Sequence, residues 1–197
     1  MPDEKRDLQA HLRMIMTTGA NLSLAQVLTQ HNGPLDQIRS VLKTARESAL
    51  RALIFSNSEA SFAITFERLD QYGVGPQTLA AIEAGLFNFQ GQLRELYCSD
   101  SPSRPQLQHI YNLGVNLGWG FAFCVFAHVQ NDVRSVLEGA RGHANAAQVF
   151  RNPEASILPA YTSLRINGVG QQTGLVIREI TESFQRELGD TICRASL

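Results

Sequence analysis

The sequence predicts an all-α protein, a tandem duplication of a ~95-residue helical repeat folded into one pseudo-two-fold helical bundle. Repetition carries the first part of that statement. Placing Leu12 over Leu107, 95 positions on, and reading to Cys98 over Cys193 superposes Arg39-Ser-Val-Leu42 on Arg134-Ser-Val-Leu137 and Ala45-Arg46 on Ala140-Arg141. In the same register Asn57-x-Glu59-Ala-Ser61 falls on Asn152-x-Glu154-Ala-Ser156, and Gly73-Val-Gly-x-Gln-Thr78 on Gly168-Val-Gly-x-Gln-Thr173. Gapless matches this regular are not produced by composition. Periodicity carries the second part: apolar residues recur at helical spacing in nearly every segment, and no stretch alternates as a strand ladder would.

Taken in chain order, Leu22 to Gly33 is a helical segment with several polar groups that ends at a Gly-Pro turn. From Leu35 onward Ile38, Val41, Leu42, Ala45, Ala49, Ala52 and Leu53 lie on one stripe, which predicts an amphipathic helix. The next helix opens at Asn57, an N-cap residue, with Glu59 in the first turn, where the helix dipole favours an anion. Gly73 suits a left-handed C-terminal cap, and Pro76 starts another helix with the stripe Leu79, Ile82, Leu86, Phe89, Leu93 and Leu96. The polar, two-proline stretch 99–105 reads as a linker between a first repeat, 1–98, and a second, 106–197. The second repeat runs through the same elements, with Val133, Val136, Leu137, Ala140, Ala144 and Ala147 in the stripe, Asn152 as cap and Pro153 in the first turn.

The copies differ most at their first helix. Leu117 to His128 is apolar nearly all round, with Ile110, Leu113, Leu117 and Phe121 on one face and Trp119, Phe123 and Phe126 on the other. That pattern describes a helix enclosed on several sides, and places the single tryptophan in the core. Ile110 to Val129 is long enough to span a bilayer, but Asn112 and Asn116 interrupt it and no second apolar segment accompanies it, so membrane insertion is not expected. Gly114 and Gly118 form a G-x-x-x-G spacing suited to close helix packing.

Charge and motifs then exclude several function classes. With 17 Lys plus Arg against 18 Asp plus Glu, a net charge of −1 leaves no footprint for nucleic acid or an anionic membrane. The start lacks the basic end and apolar core of a signal peptide, and Cys98, Cys124 and Cys193 contain no C-x-x-C, so a cytoplasmic, reducing setting is the expectation. Gly168-x-Gly170-x-x-x-Gly174 has the wrong spacing for a dinucleotide fingerprint and reads as a helix-to-helix turn. Cys124 and His128 stand one turn apart, but copy one has Thr29 and Gly33 there, and burial is the preferred reading over metal ligation. The helix, turn and helix of Leu24 to Leu42 lack the basic recognition helix of a DNA-binding motif. No cofactor or metal is expected.

The order Ala45-Arg-x-x-Ala49, a Glu59-opened helix, Gly73-Val-Gly75 and a further helix, present again from Ala140, resembles the double-repeat N-terminal adaptor domains of Clp-type ATPases. It covers less than half of each copy and lacks the helix those domains place before the glycine turn. What the resemblance implies is a partner-docking module.

The function expected is therefore a non-catalytic module for protein–protein interaction or self-assembly. Its candidate partner-binding residues are Gln26, Gln30, His31 and Arg39 on the polar first helix and turn of copy one, with Arg46, Arg134 and Arg141 beside the apolar stripes. His11, His31 and His143 sit in polar surroundings and read as surface residues. Two alternatives stay open: a sensor with a small apolar ligand between the repeats, lined by Trp119, Phe123 and Phe126, and an enzyme with a site across the pseudo-two-fold axis.

Overall fold

The computed structural model describes residues 2–52, 58–97 and 105–191, and among them it contains eight helices and no strand. These are α1 (Pro2–Gln30), α2 (Leu35–Ala52), α3 (Ser58–Tyr72), α4 (Pro76–Tyr97), α5 (Pro105–Val125), α6 (Gln130–Ala147), α7 (Pro153–Asn167) and α8 (Gln171–Thr191). The linker 99–105, apart from Pro105 at the start of α5, and the cap residue Asn57 lie outside the described residues.

α1 and α5 form the central pair and make the most extensive contact in the molecule. They run in the same direction, with Gly114 against Met16, Gly118 against Ala20 and Trp119 against Gln26. The glycines are required by this approach: a Cβ on Gly114 would strike the main chain of Met16, and one on Gly118 the main chain of Ala20. The small-residue spacing on α5 thus serves a helix within the protein. No helix among the described residues is long and apolar enough to cross a membrane.

The amphipathic helices flank this pair, α2 on α1 and α6 on α5. Ile38, Leu42, Ala45, Ala49 and Ala52 of α2, and Val133, Leu137, Ala140, Ala144 and Ala147 of α6, are all fully buried. Each larger aliphatic side chain buried in this way contributes about 1.5–3 kcal/mol. Val41 and Val136 sit at the border of the stripes and are only partly buried, while Leu53 is outside the described residues. α4 packs on α1, α3 and α5, and α8 on α5, α7 and α1. Phe62 meets Phe89 between α3 and α4 at 5.3 Å, and Phe150 meets Phe184 at 4.4 Å on the other side.

The turns explain the repeated glycine motif. Gly73 (φ 63°) and Gly168 (φ 67°) both adopt the left-handed conformation that favours glycine. Thr78 Oγ1 donates to the Gly73 carbonyl at 2.7 Å, and Thr173 Oγ1 to the Gly168 carbonyl at 2.7 Å, so the threonine closes each turn onto the helix it begins. Asn32 (φ 53°) and Ala127 (φ 52°) are likewise left-handed in the α1–α2 and α5–α6 turns. Asn152 caps α7 as its residue type predicts, accepting from the Ala155 N–H.

Candidate functional site

A cleft of about 540 Å³ opens where α1, α4, α5 and α6 converge. Its walls follow from the mismatch of α1 and α5: the apolar helix supplies Tyr111, Val115 and Trp119, α4 adds Leu86 and Phe87, and the polar face of α1 supplies Gln26. Phe87 is 72% exposed at the rim, too much apolar surface for a core position.

The polar groups in the cleft are arranged by a chain of hydrogen bonds. Trp119 donates its indole N–H to Gln26 Oε1 at 3.0 Å, and Gln26 Nε2 donates to Glu83 Oε1 at 3.2 Å, so one amide ties α1 to both α5 and α4. Tyr111 lies fully buried with its hydroxyl donating to the Leu86 carbonyl at 3.2 Å, and burial pushes its phenol far up. Asn116 Nδ2 donates to the Asn112 carbonyl at 2.8 Å. At the far wall His143 Nδ1 stands 3.2 Å from His109 Nδ1. Burial, and then the neighbouring His109, hold the His143 pKa below its ordinary value, which keeps the imidazole neutral. Among the described lining side chains Glu83 is the only carboxylate, and none is a lysine or arginine. The half-buried His143 differs from the surface position expected of it, because the α5–α6 packing presses it against His109.

The three aromatic residues expected to line one pocket divide between two places. Trp119 is half-buried in the cleft wall, not enclosed in the core, because the Gln26 amide on polar α1 replaces an apolar neighbour. Phe123 and Phe126 instead enclose a histidine pair at the end of the α1–α5 contact. His31 stacks on Phe126 at 4.7 Å with an interplanar angle of 13°, and its Nε2 lies 2.8 Å from Nε2 of His128. His128 packs at 4.5 Å against Phe123, and its Nδ1 is 3.8 Å from Asp132 Oδ2.

Of the other expected partner-binding residues, Gln26 is engaged in the cleft while Gln30 is exposed at the end of α1. Arg39 forms an exposed ion pair with Asp70 at 2.7 Å, a contact of small energetic weight. Arg46 lies over the Phe66 ring at 5.1 Å, and Arg141 over Tyr161 at 5.9 Å with Glu154 at 3.9 Å. Arg134 is exposed on α6. Cys124 is buried, and burial pushes its thiol up against the smaller lowering effect of a backbone hydrogen bond with Gly170. Among the described residues no three His, Cys, Asp or Glu side chains gather as metal ligands.

Sequence reasoning missed Glu83, Tyr111 and His109. Nothing in their local patterns marks them, because each becomes part of a site only through a helix distant in sequence. No family model, curated protein or solved structure matches the chain.

Proposed function

We propose that the protein is a non-catalytic, duplicated helical module that binds a small planar molecule in the cleft between its two repeats. The observation that carries the reading is the cleft itself: about 540 Å³, within the range of small-molecule sites, with aromatic walls and a few fixed polar groups. Trp119 and Phe87 provide flat apolar surface, and the Gln26–Glu83 pair and Asn112 provide orientation. One carboxylate and a neutral imidazole favour a neutral or singly cationic ligand over an anion.

The duplication within this proposal is supported by equal spacing. α6, α7 and α8 start at Gln130, Pro153 and Gln171, each 95 residues after the starts of α2, α3 and α4 at Leu35, Ser58 and Pro76. The paired left-handed residues, the paired threonine bonds and the two arginine–ring contacts recur in the same register. A pseudo-two-fold arrangement accounts for the parallel α1–α5 pair, since equivalent helices then meet along their axis.

A matched series tests the ligand class: 1-naphthylmethylamine (cation), 1-naphthalenemethanol (neutral) and 1-naphthoate (anion), titrated calorimetrically. The amine and the alcohol should bind more tightly than the naphthoate, Trp119→Leu should weaken both, and Glu83→Gln should remove the advantage of the amine. Absence of binding by all three, or equal binding by the Trp119→Leu protein, overturns the reading. A protein partner is the second reading, favoured by Phe87, 72% exposed at the cleft rim, and by Ile64, 56% exposed in a shallow groove of Ala60, Ala81, Ala84 and Gly85. Self-association or partner capture lost on Phe87→Ser with the naphthyl series silent would support it.

A further inference from the structure

The histidine pair at the end of the α1–α5 contact is separate from the cleft and plays no part in the ligand reading. His31 comes from the α1–α2 turn and His128 from the α5–α6 turn, so their meeting depends on the whole fold. Two imidazoles held this close by a turn on each side, with rings packed on Phe126 and Phe123, are already ordered. Most of the entropy cost of gathering two ligands has been met by the fold.

We propose that His31 and His128 form a two-histidine site for a divalent transition metal that takes imidazole ligands, copper(II) foremost. Two nitrogens that bind one ion must stand close together. With metal–nitrogen bonds of about 2.0 Å, two ligands at a right angle stand about 2.8 Å apart, whereas a tetrahedral pair stands about 3.3 Å apart. The Nε2 atoms of His31 and His128 are 2.8 Å apart, the length of the hydrogen bond they share in the metal-free protein and close enough for both to reach one ion. Among these ions the general affinity order places copper(II) highest.

Asp132 supplies the second feature of such a site. Its carboxylate lies 3.8 Å from His128 Nδ1, beyond hydrogen-bond length but near enough for its negative charge to attract a cation. In the metal-free protein the two Nε2 atoms share one hydrogen bond, one imidazole donating and the other accepting. As the ion enters, the proton of the donating imidazole moves through solvent to that ring's Nδ1, and both imidazoles remain neutral ligands. Solvent completes the coordination. Since the ion joins the α1–α2 turn to the α5–α6 turn, it stabilises the folded state over the unfolded one.

The test uses untagged full-length protein and copper(II) sulfate, followed by calorimetry, electron paramagnetic resonance and thermal melting. One copper per chain is expected, with hyperfine structure from two nitrogen donors and a raised melting temperature. His31→Ala and His128→Ala should each weaken binding at least tenfold and abolish the two-nitrogen signal, with circular dichroism confirming that both remain folded. His143→Ala, which removes the other close histidine pair, should leave copper binding unchanged. The proposal is overturned if the wild type binds no copper at micromolar concentration, if the His31→Ala/His128→Ala double variant binds it equally well, or if His143→Ala abolishes binding.

Discussion

Trp119 on α5 donates its indole N–H to the side chain of Gln26 on α1, and the same amide passes a hydrogen bond on to Glu83 of α4. One glutamine thus joins three helices, which is why the polarity of α1 is compatible with a central position. A side-chain amide both accepts and donates, and no apolar residue at position 26 could satisfy the indole and the carboxylate together.

Replacing Gln26 by Glu keeps an acceptor for Trp119 but sets a second carboxylate against Glu83. Stability at pH 7 should fall by about 2 kcal/mol. The exposed Gln30→Glu change should stay within about 0.5 kcal/mol of wild type. Urea denaturation at pH 7 measures each effect.

Two glycine-to-alanine changes should act in opposite directions. Gly114→Ala forces the α5 main chain away from Met16 and should cost about 3 kcal/mol. Gly142, inside α6 with nothing within 4 Å of an added Cβ, should gain about 0.5–1 kcal/mol on replacement because alanine loses less backbone entropy in a helix. Melting temperatures of the two variants compare them directly.

The threonines of the glycine turns should rank unequally. Thr78→Val loses the bond to the Gly73 carbonyl and should cost about 1 kcal/mol. Thr173→Val should cost more, since Thr173 also shares a buried hydrogen bond with Ser163 at 3.1 Å. Equal losses in parallel urea titrations would show that the Ser163 contact carries no weight.

His143 makes stability depend on pH. Its folded-state pKa lies below its unfolded value, so the unfolded chain binds the proton more readily and stability rises with pH. The contribution is complete above the ordinary histidine pKa of about 6.5 and is lost progressively as the pH falls below it. His143→Asn should flatten the dependence of the melting temperature between pH 7 and pH 5.

Much of the helical architecture is legible along the chain. The stripe of α2 is buried at Ile38, Leu42, Ala45 and Ala49 because a 3.6-residue period puts those positions on one face whatever that face meets. Asn152 and Gly168 mark helix ends for equally local reasons, a side-chain acceptor and a left-handed backbone. The site was legible only in part. Trp119 and Gln26 stand out as unusual residues on their helices, yet that they touch depends on the register of α1 against α5.

What the sequence by itself determined is therefore local: which segments are helical, which face of each is apolar, and where Gly73, Gly168 and Asn152 end or begin them. The tertiary structure alone decided which faces meet. It set Gly114 under Met16, brought Glu83 to Gln26 and His109 to His143, and closed His31 onto His128. The reason is physical: helix propensity and capping act within a few residues, whereas the cleft and the histidine pair arise from the close approach of two helices whose contacting residues lie more than 90 positions apart.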